Sequence, residues 1–276
     1  MRFGQAKVWV VAGGCLLSAL TLAQEVSDTR PTVSLERKDS ATQEIKTLRL
    51  VKTGPDDSVG FFVVCNVDSN SEDAPQRIVI YDTSVGQVEV SIDKSKITAP
   101  LADVLKKSNG DGHIEMSDGK AFLGEDDSCA TVRPKASPGT LKVEQGKTRL
   151  SGSALVYDES DGLARIKGPI DFSRTQDNDS LRGSSESIVL DVDRSITKLV
   201  GNVRLESKNR VSEAAEVEYD DTKSMAILRG TARVPAKSTQ GKDVVQAEVI
   251  YYNLENNEVR VFDPGNRIQG QFEDEE

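Results

Sequence analysis

A large apolar residue followed by glycine eleven positions later occurs three times in the second half of the chain: Tyr157 to Gly168, Leu190 to Gly201 and Tyr219 to Gly230. Each pair sits inside the same longer unit. Ala154-Leu155-Val156-Tyr157-Asp158 leads through a polar turn to Leu163, Ile166, Gly168, Ile170 and Phe172. Ser187-Ile188-Val189-Leu190-Asp191 leads to Ile196, Leu199, Gly201, Val203 and Leu205, and Glu216-Val217-Glu218-Tyr219-Asp220 leads to Met225, Leu228, Gly230, Ala232 and Val234. A fourth unit, residues 247–261, keeps the first strand and has Phe262 where the glycine would stand. Counted from the glycine, apolar residues fall at −5, −2, +2 and +4, so the alternation changes phase between −5 and −2. A β-bulge or sharp bend there restores one apolar face, and glycine tolerates the backbone angles needed nearby. Such a bent hairpin buries one face and cannot complete a core alone. Stacked copies give two facing sheets, so the expected fold is all-β, a two-sheet β-roll or β-jelly roll.

The first half carries the same period of two. Arg77-Ile78-Val79-Ile80-Tyr81 and Gln87-Val88-Glu89-Val90-Ser91-Ile92 each put one face in a core and one in solvent. Residues 99–107 are the single candidate for a short helix. The N-terminus reads as a secretory leader: Arg2 and Lys7 precede an apolar run over 8–22, and Ala23 offers a cleavage site. Ala12-Gly13-Gly14-Cys15 is a rival lipidation signal, although the apolar run continues past Cys15, and an uncleaved membrane anchor is a second rival. The resulting division is a signal peptide over 1–23, a flexible polar lead over 24–45, an N-terminal β region over 46–139, the repeats over 140–272 and an acidic tail over 273–276. An exported chain without Cys15 keeps Cys65 and Cys129, which either form a disulfide or remain two thiols.

Composition removes most chemistry. A net charge of −10 argues against a nucleic-acid partner, whose phosphates need clustered cations. One histidine, His113, leaves no zinc site or histidine triad. The carboxylate pairs Asp126-Asp127, Asp191 with Asp193, and Asp220-Asp221 lie in or beside turns, where such side chains bond their own backbone. Asp56-Asp57, Asp158 to Asp161 and the terminal acids lack the spacing of a calcium loop. The expectation is a protein without catalysis, cofactor or metal.

The runs 211–220 and 225–234, with Leu199-Val200-Gly201-Asn202-Val203-Arg204-Leu205, resemble the repeat of the OstA-like or LptA-like family. That family contains the periplasmic lipopolysaccharide-transport bridge LptA and the N-terminal domain of LptD. The match runs over about 147–272, and 46–135 fits only loosely, through Ile80-Tyr81-Asp82 and residues 114–121. The resemblance implies a non-catalytic periplasmic carrier or bridge for lipopolysaccharide or a related glycolipid, working in outer-membrane assembly with other OstA-like rolls. The alternative is a structural or adhesive envelope protein with a closed core. An acyl chain loses about 0.8 kcal/mol for each methylene left in water, so a carrier needs a continuous apolar trough. Its candidate lining is Tyr157, Ile166, Ile170 and Phe172 in the first unit, and Leu190, Leu199, Val203 and Leu205 in the second. Val217, Tyr219 and Leu228 continue it in the third, and Val249, Tyr251, Val259 and Val261 in the fourth, each of which could equally be ordinary core. The acidic net charge argues against an anionic phosphorylated lipid unless local cations such as Arg229 and Arg233 line the mouth.

Overall fold

The computed structural model describes residues 30–271 except 39–41, 55–58, 68–73, 85–86, 93–94, 108–111, 125–128, 177–178, 195, 208–209, 221–222, 232, 254–257 and 263–268. The leader, Cys15 and the acidic tail lie outside the described residues. The strands are β1 (Thr32–Lys38), β2 (Ile45–Lys52), β3 (Gly60–Asn66), β4 (Gln76–Asp82), β5 (Val88–Ile92), β6 (Ser95–Ala99), β7 (Leu101–Lys106) and β8 (Gly112–Phe122). They continue with β9 (Thr131–Lys135), β10 (Leu141–Gln145), β11 (Thr148–Gly152), β12 (Ala154–Asp158), β13 (Leu163–Gln176), β14 (Asp179–Asp191) and β15 (Ile196–Ser207). The last are β16 (Arg210–Asp220), β17 (Met225–Arg229), β18 (Ala236–Gln240), β19 (Asp243–Ala247), β20 (Val249–Asn253), β21 (Val259–Phe262) and β22 (Gln269–Gln271).

All pairings are antiparallel and resolve into two layers. One runs β1, β2, β5, β6, β10, β11, then half of each of β13, β14, β15 and β16, then β18, β19 and β22. The other runs β3, β4, β7, β8, β12, the remaining halves of β13 to β16, then β17, β20 and β21. Both layers pass without a break across residues 139 and 140, through the β6–β10 and β8–β12 ladders. A single apolar core lies between them from Val33 to Tyr252. Among the described residues β1 and β3 pair on one side only at one end, as do β21 and β22 at the other.

The repeat glycines mark where the chain passes from layer to layer. The ladders break between Lys167 and Ile170, Ser184 and Ser187, and Val200 and Val203, which places Gly168 and Gly201 in the breaks. The bend is therefore at the glycine and the residue after it, not between −5 and −2. Two residues are skipped, so parity is kept across the bend and the inward positions are −4, −2, +2 and +4. Ala164 and Ala226 are buried while Leu163 and Met225 are half-exposed. The third unit crosses through a loop after Gly230, which leaves Val234 69% exposed and gives the inward places to Ala236 and Ser238.

A broken ladder frees carbonyls, and buried serines answer them. Ser153 Oγ donates to the carbonyls of Lys167 at 3.0 Å and Gly168 at 2.9 Å. Ser185 Oγ donates to the Ser187 carbonyl at 3.0 Å, and Ser117 Oγ to that of Asp118 at 2.7 Å.

Two expectations are corrected in the first half. Residues 99–107 form no helix: β6 ends at Ala99 and β7 starts at Leu101. Leu101 belongs to a small outer core with Val79, Ala121 and Ala130, while Ala102 and Val104 face the main core. Burial on both faces produces apolar neighbours that imitate helical spacing. The outer core exists because β8 continues beyond the layer and pairs with β9, forming a ribbon against the outside of β3, β4 and β7. A Cys65–Cys129 disulfide ties the segment before β9 to β3. The segment read as a flexible lead contains β1, whose isolated Val33 and Leu35 stand opposite Leu50 and Leu48 and are buried.

Candidate functional site

The two layers meet along one side through the bends and face each other along the other side only through hairpin tips. On the bend side they are joined covalently, and a buried Asp82 carboxylate accepts from the Ser84 N–H at 2.8 Å and pairs with Lys52 at 3.2 Å. On the tip side, at the middle of the roll, an apolar cleft of about 40 Å³ lies between the layers. One wall is Val143, Gln145, Thr148, Leu150, Phe172, Arg174, Leu181 and Leu205; the other is Ile188, Leu190, Thr197, Leu199, Val217, Tyr219 and Ala226. The volume is far below that of a small-molecule site, and the few polar groups fall at its edge.

Of the residues chosen from sequence, Phe172, Leu190, Leu199, Leu205, Val217 and Tyr219 line this cleft. Tyr157, Ile166, Ile170, Val203 and Leu228 do not line it; they are between 0% and 2% exposed, in the same core to which Leu199, Leu205 and Val217 also belong. Val259 and Val261 pack against that core near its end. Val249 and Tyr251 are on the outer face, because Ile250 and Tyr252 hold the buried positions of β20. Val143, Leu150, Leu181, Ile188, Thr197, Ala226 and Arg174 were not anticipated. The parity of the repeat could have found Arg174, which follows Ile170 and Phe172 at steps of two on β13.

Four cross-layer ties close parts of the tip side. The Arg174 guanidinium lies 5.1 Å from the centre of the Tyr219 ring, and that of Arg210 lies 5.4 Å from the Tyr252 ring. Tyr252 Oη and Ser207 Oγ are hydrogen-bonded at 3.1 Å. Lys46 Nζ donates to the carbonyls of Val192 at 2.5 Å and Asp193 at 3.3 Å, holding the β1–β2 hairpin against the β14–β15 turn. Arg229 and Arg233 do not line the mouth: Arg229, at 4.0 Å from Glu216, ends β17 beside the bend, and Arg233 is in the crossing loop.

Turn carboxylates bond their own backbone. Asp191 accepts from the Arg194 N–H at 3.0 Å, Asp220 from that of Lys223 at 3.2 Å, and Asp161 from that of Leu163 at 2.9 Å. Asp56, Asp57, Asp126, Asp127 and Asp221 lie outside the described residues. Burial lowers the pKa of His113, but its bonds to Asp158 at 2.6 Å and Glu115 at 3.3 Å outweigh this and hold it above its ordinary value. Among the described residues no group of three or more His, Cys, Asp or Glu side chains could hold a metal. None of their helices is long and apolar enough to cross a membrane.

Residues 66–224, more than half of the chain, match the family described as LptA/(LptD N-terminal domain) LPS transport protein. The match begins in the region that fitted the repeat loosely and ends within the third unit. Among solved structures the chain is similar to LptH, "the LptA homologous periplasmic component of the conserved lipopolysaccharide transport device from Pseudomonas aeruginosa", at 19% identity and a TM-score of 0.37, over 46% of this chain and 95% of that one. No curated protein matches. With more than half its length matched to one family, the chain belongs to the LptA/LptD N-terminal domain family of LPS transport proteins.

Proposed function

We propose that this protein is an exported, non-catalytic carrier or bridge for lipopolysaccharide or a related glycolipid, shielding acyl chains between its layers while they cross the periplasm. The observation that carries the reading is the apolar cleft open along the hairpin tips, in a chain whose family is described as an LPS transport protein. Sheltering about a dozen methylenes is worth roughly 10 kcal/mol against leaving them in water, which would offset parting the layers to admit an acyl chain larger than the cleft of about 40 Å³. The family transports rather than transforms, and the chain is accordingly no enzyme. Export with cleavage after Ala23 belongs to the same reading. So does docking onto other rolls of this family, supported by the singly paired strands at each end of the layers.

The second reading, an envelope protein that carries nothing, is favoured by the N-terminal half, where Leu48, Leu50, Ile80, Ile97, Ile114 and Met116 fill the same interlayer space and are at most 1% exposed. Photo-crosslinking distinguishes the two. A benzoylphenylalanine at Leu199 or Leu205, facing the cleft, is expected to capture purified lipopolysaccharide, whereas the same probe at the outward Lys198 or Arg204 captures none. Equal capture at all four positions, or at none, would leave the closed-core reading standing.

A further inference from the structure

We propose that strands β1 and β2 form a strap that latches the cleft shut, and that release of the Lys46 bonds admits the acyl chains. The proposal rests on the acyl-binding reading above. The layers are joined covalently along the bends, so they can part only at the hairpin tips. There β1 and β2, which belong to one layer, run past three successive tips of the other. Leu35 of β1 is 1% exposed and fills the space beside Gly112 at the start of β8, where a Cβ would stand 2.7 Å from its Cδ1. The same Cβ would stand 2.8 Å from Oε2 of Glu159, which is buried in the β12–β13 turn. Farther along, Lys46 of β2 donates to the backbone carbonyls of Val192 and Asp193 in the β14–β15 turn. That turn connects Leu190 to Thr197, partners across the ladder that both line the cleft. Lys46 takes the next inward place of β2 after Leu50 and Leu48 and is half-buried there. A charged donor makes a stronger bond to a carbonyl than a neutral one does, so this tie pins a wall of the cleft to the opposite layer. An acyl chain is larger than the cleft of about 40 Å³, so the β14–β15 hairpin swings outward as cargo enters and breaks the Lys46 bonds. Both strands precede residues 66–224, so the strap lies outside the part of the chain matched to the family.

The test is stopped-flow uptake of fluorescently labelled lipid A by the purified full chain. Lys46→Met keeps an apolar stem and removes the donor, so the open state gains population and uptake should become about tenfold faster. Lys46→Arg keeps a charged donor and should stay within about threefold of wild type. Cysteines introduced by Lys46→Cys and Asp193→Cys and joined with a short bismaleimide fix the strap in place. The bridged chain should take up lipid A about tenfold more slowly, or slower still, than the same double variant left unbridged. An unchanged rate in Lys46→Met, an increase in Lys46→Arg equal to that in Lys46→Met, or undiminished uptake by the bridged chain each overturn the latch while the acyl-binding reading stands. If Lys46→Met does not fold, the bridged chain decides alone. Uptake by none of the chains, Lys46→Met included, overturns both the latch and the acyl-binding reading.

Discussion

Asp82 is fully buried where the chain leaves β4, with Lys52 13% exposed beside it. Gly54 makes the approach possible, since a Cβ there would stand 1.9 Å from Asp82 Oδ2. The pair joins β2 of one layer to β4 of the other, and a carboxylate left there without its cation would keep its desolvation penalty with little in return. Removing Lys52 by Lys52→Met should therefore cost about 3–5 kcal/mol in urea unfolding, and Lys52→Met with Asp82→Leu should cost less than the sum of the two single changes. Strict additivity would mean that the two side chains act separately.

At the scale of single elements, the crossing strands are the parts most readable in the sequence. Gly168 and Gly201 announced them, because a tight passage between layers leaves no room for a side chain. At Gly201, with φ at +80°, a Cβ would meet Glu186 Cβ at 2.9 Å; at Gly139, φ is +75° and nothing lies within 4 Å. Both alanine substitutions incur left-handed strain of about 1–2 kcal/mol, and Gly201→Ala should cost more than Gly139→Ala by the clash with β14. Equal melting temperatures for the two variants would show that the crossing yields to a side chain. What could not be read are strands apolar on both faces. β7 packs against two cores, and β20 runs Val249-Ile250-Tyr251-Tyr252, so neither carries an alternation that fixes its phase. The cleft was half legible for a related reason: periodicity tells which residues point between the layers, but only the splay of the layers tells which of those meet open space.

For the whole molecule, the ribbon of β8 and β9 is an added layer, fastened by a disulfide across a sequence separation of 64. Closing a loop of that length stabilises by about 4 kcal/mol in the chain-entropy model. Replacing both Cys65 and Cys129 by serine should lower the unfolding free energy by about 2–4 kcal/mol without weakening lipid capture in the cleft, whose lining begins at Val143. Loss of capture in a folded double variant would tie the ribbon to the site. The order of pairing reaches further. No ladder joins strands more than four apart in chain order, so the roll is a linear lattice in which each unit is held chiefly by its neighbours. Such a lattice frays from its ends inwards, and the cleft, between β10 and β17, is cushioned by folded strands on both flanks. The Lys46 tie couples the first hairpin to the β14–β15 turn, so fraying that starts at β1 has to break a contact near the middle of the roll.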